Sequence, residues 1–379
     1  MMKEGKNIRK ILVIPNITNS KNPEMDSFFD VLNQQINYLG NQFYWIVPVI
    51  KPVSLLFGKE NVKQIPINIS GNMFHMRVSF PIDMIRLLQN STLSPNKITN
   101  DLWVDYDVVY SHLPDWNIRR FVPNSKPIIG YAHWWEMDIC NGKSNLNNFL
   151  NFEREVLGTL QMRILYVNTN TQKKQIIKEA RKTFNNTIIE ELERIIQPFH
   201  LTIPENLIIK QIPQKRERTI LFNHRCTKDK GYTTFIKQIF KYRENRTDFS
   251  VWISLGDRYN INFEDNWIDT SSVEKSEYYK RISQCWVTIV PSDSHFGWNI
   301  SATDSLMRGT PVVFEDCENY REIYPNGLFY TNEIELFEIL NRLLDDEIFY
   351  YKWVINSINH AKVLSNNNHL DELKQNLLS

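Results

Sequence analysis

The chain has 379 residues and is poor in cysteine and in unbroken apolar sequence. Its four cysteines are too far apart for the paired spacing of a zinc site, so we expect neither a metal centre nor a disulfide framework. They are Cys140, Cys226, Cys285 and Cys317. Such cysteine usage is typical of a reducing compartment. The expected location is the cytoplasm.

Long apolar runs are also missing. No stretch reaches the roughly 20 consecutive apolar residues that a membrane-spanning helix needs. The basic first segment, MMKEGKNIRKILVIPNI, is interrupted by Pro15 and Asn16, which favours a first strand over a signal peptide. We therefore expect no membrane partner.

The chain also lacks an excess of charge of either sign. Lys and Arg total 44 and Asp and Glu total 43, which leaves a net charge of +1. Composition therefore does not indicate a strongly basic nucleic-acid binder, although a local basic face stays compatible with it. Apolar residues make up 42% and charged residues 23%, as in folded globular proteins, and the length suits two domains.

Strand-like apolar runs alternate with segments of helical period along the whole chain, which predicts parallel α/β sheets. KILVIPNI, FYWIVPVI, YDVVYSH and ILYVNT are such runs in the first half, and TILFNHR, FSVWISLG and PVVFED are such runs in the second. A proline-rich and charged stretch separates the two series. We predict an N-terminal Rossmann-like domain at 1–200, a linker at 201–218, a C-terminal Rossmann-like domain at 219–360 and a helical tail at 361–379.

The first candidate motif is TILFNHRCTKDKG, residues 219–231. It places Arg225 just after a strand and Lys230 just before a helix. Arginine offers a planar fork to phosphate oxygens and lysine a mobile point charge, so the pair suits a pyrophosphate at the carboxyl edge of a sheet. A solvated turn with two cations is the alternative for this motif alone.

The second candidate motif is SHFGWNISATDSLMRGTPVVFED, residues 294–316. Gly297 allows close approach of the backbone to a ligand, and the helix that opens at Asn299 presents free amides to an anion. Ser301 and Thr303 add hydroxyls for a ligand or, alternatively, cap the helix. Asp304 follows one turn later, where a carboxylate can accept hydrogen bonds from both hydroxyls of a ribose.

Together the two motifs resemble the donor-binding half of the GT-B glycosyltransferases, in which two doubly wound domains face a central cleft. The resemblance implies a nucleotide-sugar donor, with a UDP-sugar as the first expectation, held by Arg225 and Lys230 at the phosphates and by Asp304 at the ribose. His295 falls where the family has an acidic residue that contacts the sugar, and Asp293 is an alternative for that role. The departing diphosphate would be stabilised by cations and helix amides, so no metal is required.

Candidate acceptor residues follow two strands of the first domain. PIIGYAHWWEMD ends in His133, Trp134, Trp135 and Glu136. The resemblance implies a catalytic base at such a strand end: we predict His133, with Glu136 or Asp138 as an alternative or orienting group. A strand-end histidine with a purely structural role stays open. The second set, in YSHLPDW, is His112, Asp115 and Trp116, for which a turn built around proline is the alternative.

The predicted activity is transfer of a sugar to an acceptor hydroxyl, with Arg225 counted among the catalytic residues. The chain is similar in size and aromatic content to phage enzymes that glycosylate hydroxymethylated bases in DNA, which implies double-stranded DNA as the acceptor. Basic pairs such as Lys173–Lys174 suit backbone phosphates, whereas the near-neutral charge argues against DNA. Alternative acceptors are a glycan or a modified tRNA base. Alternative activities are those of an epimerase or a phosphorylase. The non-enzymatic alternative is a degenerate GT-B module that binds nucleic acid or protein.

Overall fold

The structure, a computed structural model, describes residues 8–16, 27–67, 82–89, 104–115, 117–132, 135, 146–212, 216–291, 297–366 and 368–379. Its internal contacts divide the chain into two compact units. The first unit is residues 1–201 together with 367–379, and the second is residues 202–366. Each unit is built around its own parallel β-sheet.

The first unit contains a seven-stranded sheet in the order β3-β2-β1-β4-β5-β6-β7. Its strands are β1 Arg9–Ile14, β2 Phe43–Val49, β3 Val62–Pro66, β4 Val108–Ser111, β5 Ile128–Ala132, β6 Ile164–Val167 and β7 Ile196–Pro198. Its helices are α1 Ser27–Leu39, α2 Ile82–Leu88, α3 Leu146–Thr159, α4 Asn170–Ala180, α5 Asn186–Ile195 and α12 Asn368–Leu378. Central strands such as β4 and β5 are buried throughout, because helices cover both faces of a parallel sheet.

The second unit contains a six-stranded parallel sheet in the order β10-β9-β8-β11-β12-β13. Its strands are β8 Thr219–Phe222, β9 Ser250–Ile253, β10 Ile268–Asp269, β11 Val287–Val290, β12 Val312–Glu315 and β13 Leu328–Tyr330. Its helices are α6 Tyr232–Arg243, α7 Lys275–Gln284, α8 Ile300–Met307, α9 Glu318–Ile323, α10 Glu333–Asp345 and α11 Glu347–Leu364. The predicted alternation of strands and helices into two Rossmann-like sheets is confirmed.

The last helix packs on the first unit, far from its neighbours in sequence. Its apolar positions, Leu370, Leu373 and Leu377, recur at helical spacing and are buried. The Tyr38 hydroxyl donates to Asp371 at 2.8 Å, and the Asn376 amide donates to the Tyr166 hydroxyl at 2.7 Å. The sequence predicted a separate tail from residue 361, whereas these contacts make residues 367–379 part of the first unit.

The stretch predicted as a linker belongs to the second unit from residue 202 onward. The Ile209 amide donates to the Met307 carbonyl at 2.9 Å, and the Arg216 guanidinium donates to the Gly309 carbonyl at 2.9 Å. These bonds attach the described part of the stretch to the end of α8. Within the described residues, no helix is long and apolar enough to cross a membrane.

Candidate functional site

The two donor motifs meet at the switch point of the second sheet. From β8 the chain continues to β9 and β10 on one side, and then crosses to β11, β12 and β13 on the other. β8 and β11 are therefore neighbours whose following loops diverge, and Leu221 pairs with Thr288 across them. In open α/β sheets a ligand binds in the crevice that such diverging loops leave at the carboxyl ends of the strands.

Gly231 holds the loop after β8 against the end of β11. Its φ of +72° lies in the left-handed region, and it precedes the first residue of α6. A Cβ built there would lie 2.4 Å from the carbonyl oxygen of Pro291. The two loop backbones therefore touch at a point that only glycine tolerates. Next to it Lys230 is half-buried, and at the start of the loop Arg225 is exposed.

A hydrogen-bond network ties the end of β8 to the first turns of α8. The buried side-chain amide of Asn223 donates to the Ser301 carbonyl at 2.7 Å, and lies 3.2 Å from both the Ser305 and the Tyr278 hydroxyls. The Tyr278 hydroxyl in turn donates to the Asp304 carboxylate at 3.1 Å. This network fixes the position of the carboxylate that the sequence predicted for a ribose.

The electrostatics of this network keep Tyr278 protonated, so its hydroxyl acts as a hydrogen-bond donor. Burial raises the pKa of the Tyr278 phenol well above its ordinary value, and the negative charge of Asp304 raises it further. The phenol therefore stays neutral near pH 7 and donates to the carboxylate. Neither Asn223 nor Tyr278 was predicted from the sequence. Asn223 is the first polar residue after a buried strand, which is a usable signal, whereas nothing in the local sequence marks Tyr278.

The polar residues at the start of α8 are either bonded within the fold or half-buried. The Asn299 side chain caps the helix by accepting from the Ala302 amide at 2.9 Å. Thr303 is 2% exposed, and its hydroxyl bonds to the Trp298 indole at 2.9 Å and to the Tyr324 hydroxyl at 3.2 Å. The sequence predicted two hydroxyls for a ligand. The Thr303 hydroxyl is buried and hydrogen-bonded within the fold, whereas Ser301 is half-buried and partly accessible.

Gly297 also adopts the left-handed conformation, with φ of +98°. Its carbonyl accepts a hydrogen bond from the Asn319 side chain at 2.8 Å. The turn before α8 is thereby held from the side of α9. His295 and Asp293 lie outside the described residues, so their part in the site stays a prediction. In the described part of the chain, no group of three His, Cys, Asp or Glu residues is arranged to hold a metal ion.

The first sheet has its own switch point, between β1 and β4. His112 directly follows β4, and its amide donates to the Ile14 carbonyl at 2.9 Å. The imidazole is 3% exposed and lies edge-on to Phe28 and Tyr110, each with ring centroids 4.7 Å away. Of the predicted acceptor residues, His112 thus lies at the carboxyl end of β4 next to this switch point, and the side chains of both His112 and Asp115 are buried.

Trp135 differs from its predicted role at an acceptor surface. It is 2% exposed, and its ring lies 6.2 Å from that of Phe152 on α3. The indole is thus part of the core, because a large apolar ring at the end of a central strand is covered by the crossing helix. The remaining acceptor candidates lie outside the described residues. They are His133, Trp134, Glu136, Asp138 and Trp116.

Comparisons with solved structures identify the same architecture. The chain aligns with a sucrose-phosphate synthase from Thermosynechococcus elongatus over 98% of both chains, with a TM-score of 0.71 and 11% identity. It aligns with Anabaena HepE in complex with UDP and glucose over 98% of this chain and 100% of that one, with a TM-score of 0.69 and 12% identity. It aligns with the trehalose-6-phosphate synthase OtsA over 98% and 99%, with a TM-score of 0.65 and 11% identity.

These likenesses cover nearly the whole chain and establish its fold. The GT-B fold predicted from the two motifs is confirmed. No protein-family model and no curated protein sequence matches the chain. At 11–12% identity the alignments carry the arrangement of strands and helices, and the chemistry has to be argued from the residues of this chain.

Proposed function

We propose that this protein is a glycosyltransferase that transfers a sugar from a nucleoside diphosphate sugar to an acceptor hydroxyl. The observation that carries the proposal is the contact between the two motifs at the switch point of the second sheet, where Asn223 of the first motif donates a hydrogen bond to the Ser301 carbonyl of the second at 2.7 Å. Both motifs follow strands at the carboxyl edge of this sheet, and together they supply two cations, a helix N-terminus and a carboxylate for the proposed site. UDP is the first choice of nucleotide, since HepE with the same fold was solved with UDP and glucose and with UDP-glucose.

Each group in the proposed site has a role that fits its chemistry. Arg225 and Lys230 bind the two phosphates, with Arg225 exposed and able to reach the ligand. The first amides of α8 add partial positive charge at the same place. Asp304 accepts hydrogen bonds from the ribose hydroxyls, and the bond from Tyr278 orients it for that role.

The same groups account for catalysis. The bond from the sugar to the diphosphate breaks as negative charge develops on the leaving oxygen. Preorganised cations and amides stabilise that charge without reorganising during the reaction. Arg225 is the residue whose fork fits the diphosphate, so it is the catalytic residue of the donor side. On the acceptor side the proposed base is His133, with Glu136 as its alternative, and Trp134 and Trp116 are proposed to contact the acceptor.

For the acceptor we propose a hydroxymethylated pyrimidine of double-stranded DNA. A base in a duplex has to be flipped out before an enzyme can reach its substituents. The proposal is supported by the resemblance to phage enzymes with this activity and by the basic residues along α4 of the first unit. A glycan is the competing acceptor, because the neighbours include sucrose-phosphate and trehalose-6-phosphate synthases.

Ligand-dependent thermal unfolding tests the donor side. UDP and UDP-glucose should raise the melting temperature of the wild type, with GDP and ADP as comparisons. Binding to the native state alone adds about 2.7 kcal/mol at a ligand concentration 100 times the dissociation constant. Arg225→Ala should abolish the shift and reduce turnover by orders of magnitude. Lys237→Ala, which removes an exposed cation from α6, is the matched control and should behave as the wild type.

Two outcomes would contradict the proposal. If none of the nucleotides raised the melting temperature of the wild type, the chain would have the fold but no donor site. An Arg225→Ala variant with near-normal affinity and turnover would remove this arginine from the site.

A further inference from the structure

A basic groove lies along α4 in the first unit. Its volume is about 490 Å³, and α5 contributes to its far side. It is lined among others by Asn170, Lys173, Lys174, Lys178, Arg181 and Glu193. Four cations and a single carboxylate line it, so the groove carries an excess of positive charge in a chain whose net charge is only +1. Such a local concentration of charge attracts anions over a Debye length.

Two of the four cations are occupied by the protein itself. The Arg181 guanidinium pairs with the Glu193 carboxylate at 2.6 Å, and the Lys173 ammonium donates to the Glu193 carbonyl at 2.9 Å. Lys174 and Lys178 are exposed, and neither has a carboxylate within ion-pair distance among the described residues. These two lysines are the cations that the groove offers to an outside ligand.

The cations form a row and not a cluster. In an α-helix with a rise of about 1.5 Å per residue, Lys178 lies about 6 Å beyond Lys174, and Arg181 lies about 4.5 Å further on. Steps of three and four residues keep all three on one face. The two lysines that the groove offers to a ligand lie about 6 Å apart along the helix axis, a separation that suits two neighbouring phosphates of a nucleic-acid strand. A single phosphate group would use only one end of this row.

The helix that carries the row starts at the edge of the sheet where the predicted acceptor residues lie. Thr169 caps α4 directly after β6, so the N-terminus of this helix is at the carboxyl edge of the first sheet. The predicted acceptor residues follow β4 at the same edge of the same sheet. A strand bound along α4 would therefore lead toward the switch point of this unit.

The groove also lacks the exposed apolar side chains with which a protein binds a lipid surface. No large apolar side chain of α4 or α5 is exposed in the described structure, and Ile177, which lines the groove, is buried. Membrane-binding helices combine basic residues with exposed apolar ones that insert between the lipids. A linear row of exposed cations without exposed apolar neighbours fits a phosphodiester chain better than a bilayer.

We infer that the groove along α4 binds the phosphodiester backbone of the nucleic acid that carries the acceptor base. The assignment of that nucleic acid as acceptor rests on the proposed function, whereas the binding itself does not. Lys174 and Lys178 make the direct phosphate contacts, and the Arg181–Glu193 pair fixes the wall of the groove. Such contacts position the duplex and carry no sequence information.

A charge-reversal experiment tests this inference. Binding of a fluorescein-labelled DNA duplex, with and without 5-hydroxymethylcytosine, is measured by anisotropy between about 50 and 200 mM salt. The test variant combines Lys174→Glu with Lys178→Glu. The control combines Lys63→Glu with Lys352→Glu, which reverses two exposed lysines on β3 and α11 and changes the net charge by the same amount. Circular dichroism and the UDP-induced thermal shift verify that each variant is folded.

The test variant should lose at least tenfold in affinity at low salt for both duplexes. The slope of the logarithm of the binding constant against that of the salt concentration should fall in magnitude by about two, one for each lost phosphate contact. A milder pair, Lys174→Gln with Lys178→Gln, should give an intermediate loss of affinity. The control should retain the slope of the wild type.

Equal affinities and slopes for the test variant and the control would overturn the inference. Binding to vesicles of anionic lipid in the absence of any DNA binding would overturn it as well, in favour of a membrane surface. Failure of the proposed function is separate: a wild type without a UDP-induced shift refutes the donor site, whatever the DNA measurement shows.

Discussion

Replacement of Gly231 by alanine tests whether the two donor loops depend on one backbone contact. Two costs are expected. Alanine in the left-handed region costs roughly 1–2 kcal/mol. Its methyl group would also lie 2.4 Å from the Pro291 carbonyl oxygen and 2.7 Å from its carbon, and neither backbone atom can rotate away. Forced overpacking typically costs about 1–3 kcal/mol more.

Gly58 provides a control that separates these costs. It has a φ of +71°, and nothing lies within 4 Å of an added Cβ. Gly58→Ala should therefore show the backbone cost alone, about 1–2 kcal/mol. Because a chain of two units need not unfold in a single step, stability is read from amide hydrogen exchange of the strands in each unit. UDP affinity is measured by calorimetry on the same samples.

Gly231→Ala should destabilise β8 and β11 by about 1–3 kcal/mol more than Gly58→Ala destabilises the first sheet. It should also weaken UDP binding, because the loop that carries Arg225 and Lys230 has to move. Gly58→Ala should leave UDP affinity unchanged. Equal destabilisation by the two substitutions, together with normal UDP affinity for Gly231→Ala, would refute the reasoning that this contact assembles the site.

Two further predictions follow from named hydrogen bonds. Tyr278→Phe removes the hydrogen-bond donor to Asp304 and should weaken UDP binding about tenfold, or about 1.4 kcal/mol. The same change at the next residue, Tyr279→Phe, should leave UDP affinity unchanged. Equal UDP affinities of the two variants would exclude this orienting role. The pH dependence concerns Arg246, whose guanidinium bonds lower the pKa of Asp248 and Asp345 in the folded state. Their contribution is present above the unfolded pKa of about 3.9 and is lost as the pH falls through the lower folded values. Unfolding measured from pH 6 to 2.5 should show this loss in the wild type and a flatter profile in Arg246→Gln, and identical profiles would contradict it. Because both carboxylates are largely exposed, the effect should be small.

The local pattern of the sequence determined the strands, the helices and the positions of the donor motifs. A run such as TILF is apolar because helices cover it on both sides, and the polar residues that follow it have to lie at the carboxyl edge. Arg225, Lys230 and the start of α8 could therefore be placed without coordinates. Gly297 was singled out in the sequence for close approach of the backbone, and it adopts a positive φ.

The tertiary structure alone decided which side chains serve the site and which serve the core. Asn223 and Tyr278 are 55 residues apart and meet only because β8 and α7 pack together. Thr303 and Trp135 were predicted from the sequence to contact ligands, but both are buried in the structure. The last helix, α12, packs with residues 1–201, from which residues 202–366 separate it in sequence. The physical reason is that periodicity specifies which face of an element is apolar, whereas the partner that covers that face is fixed by long-range contacts that no local pattern encodes.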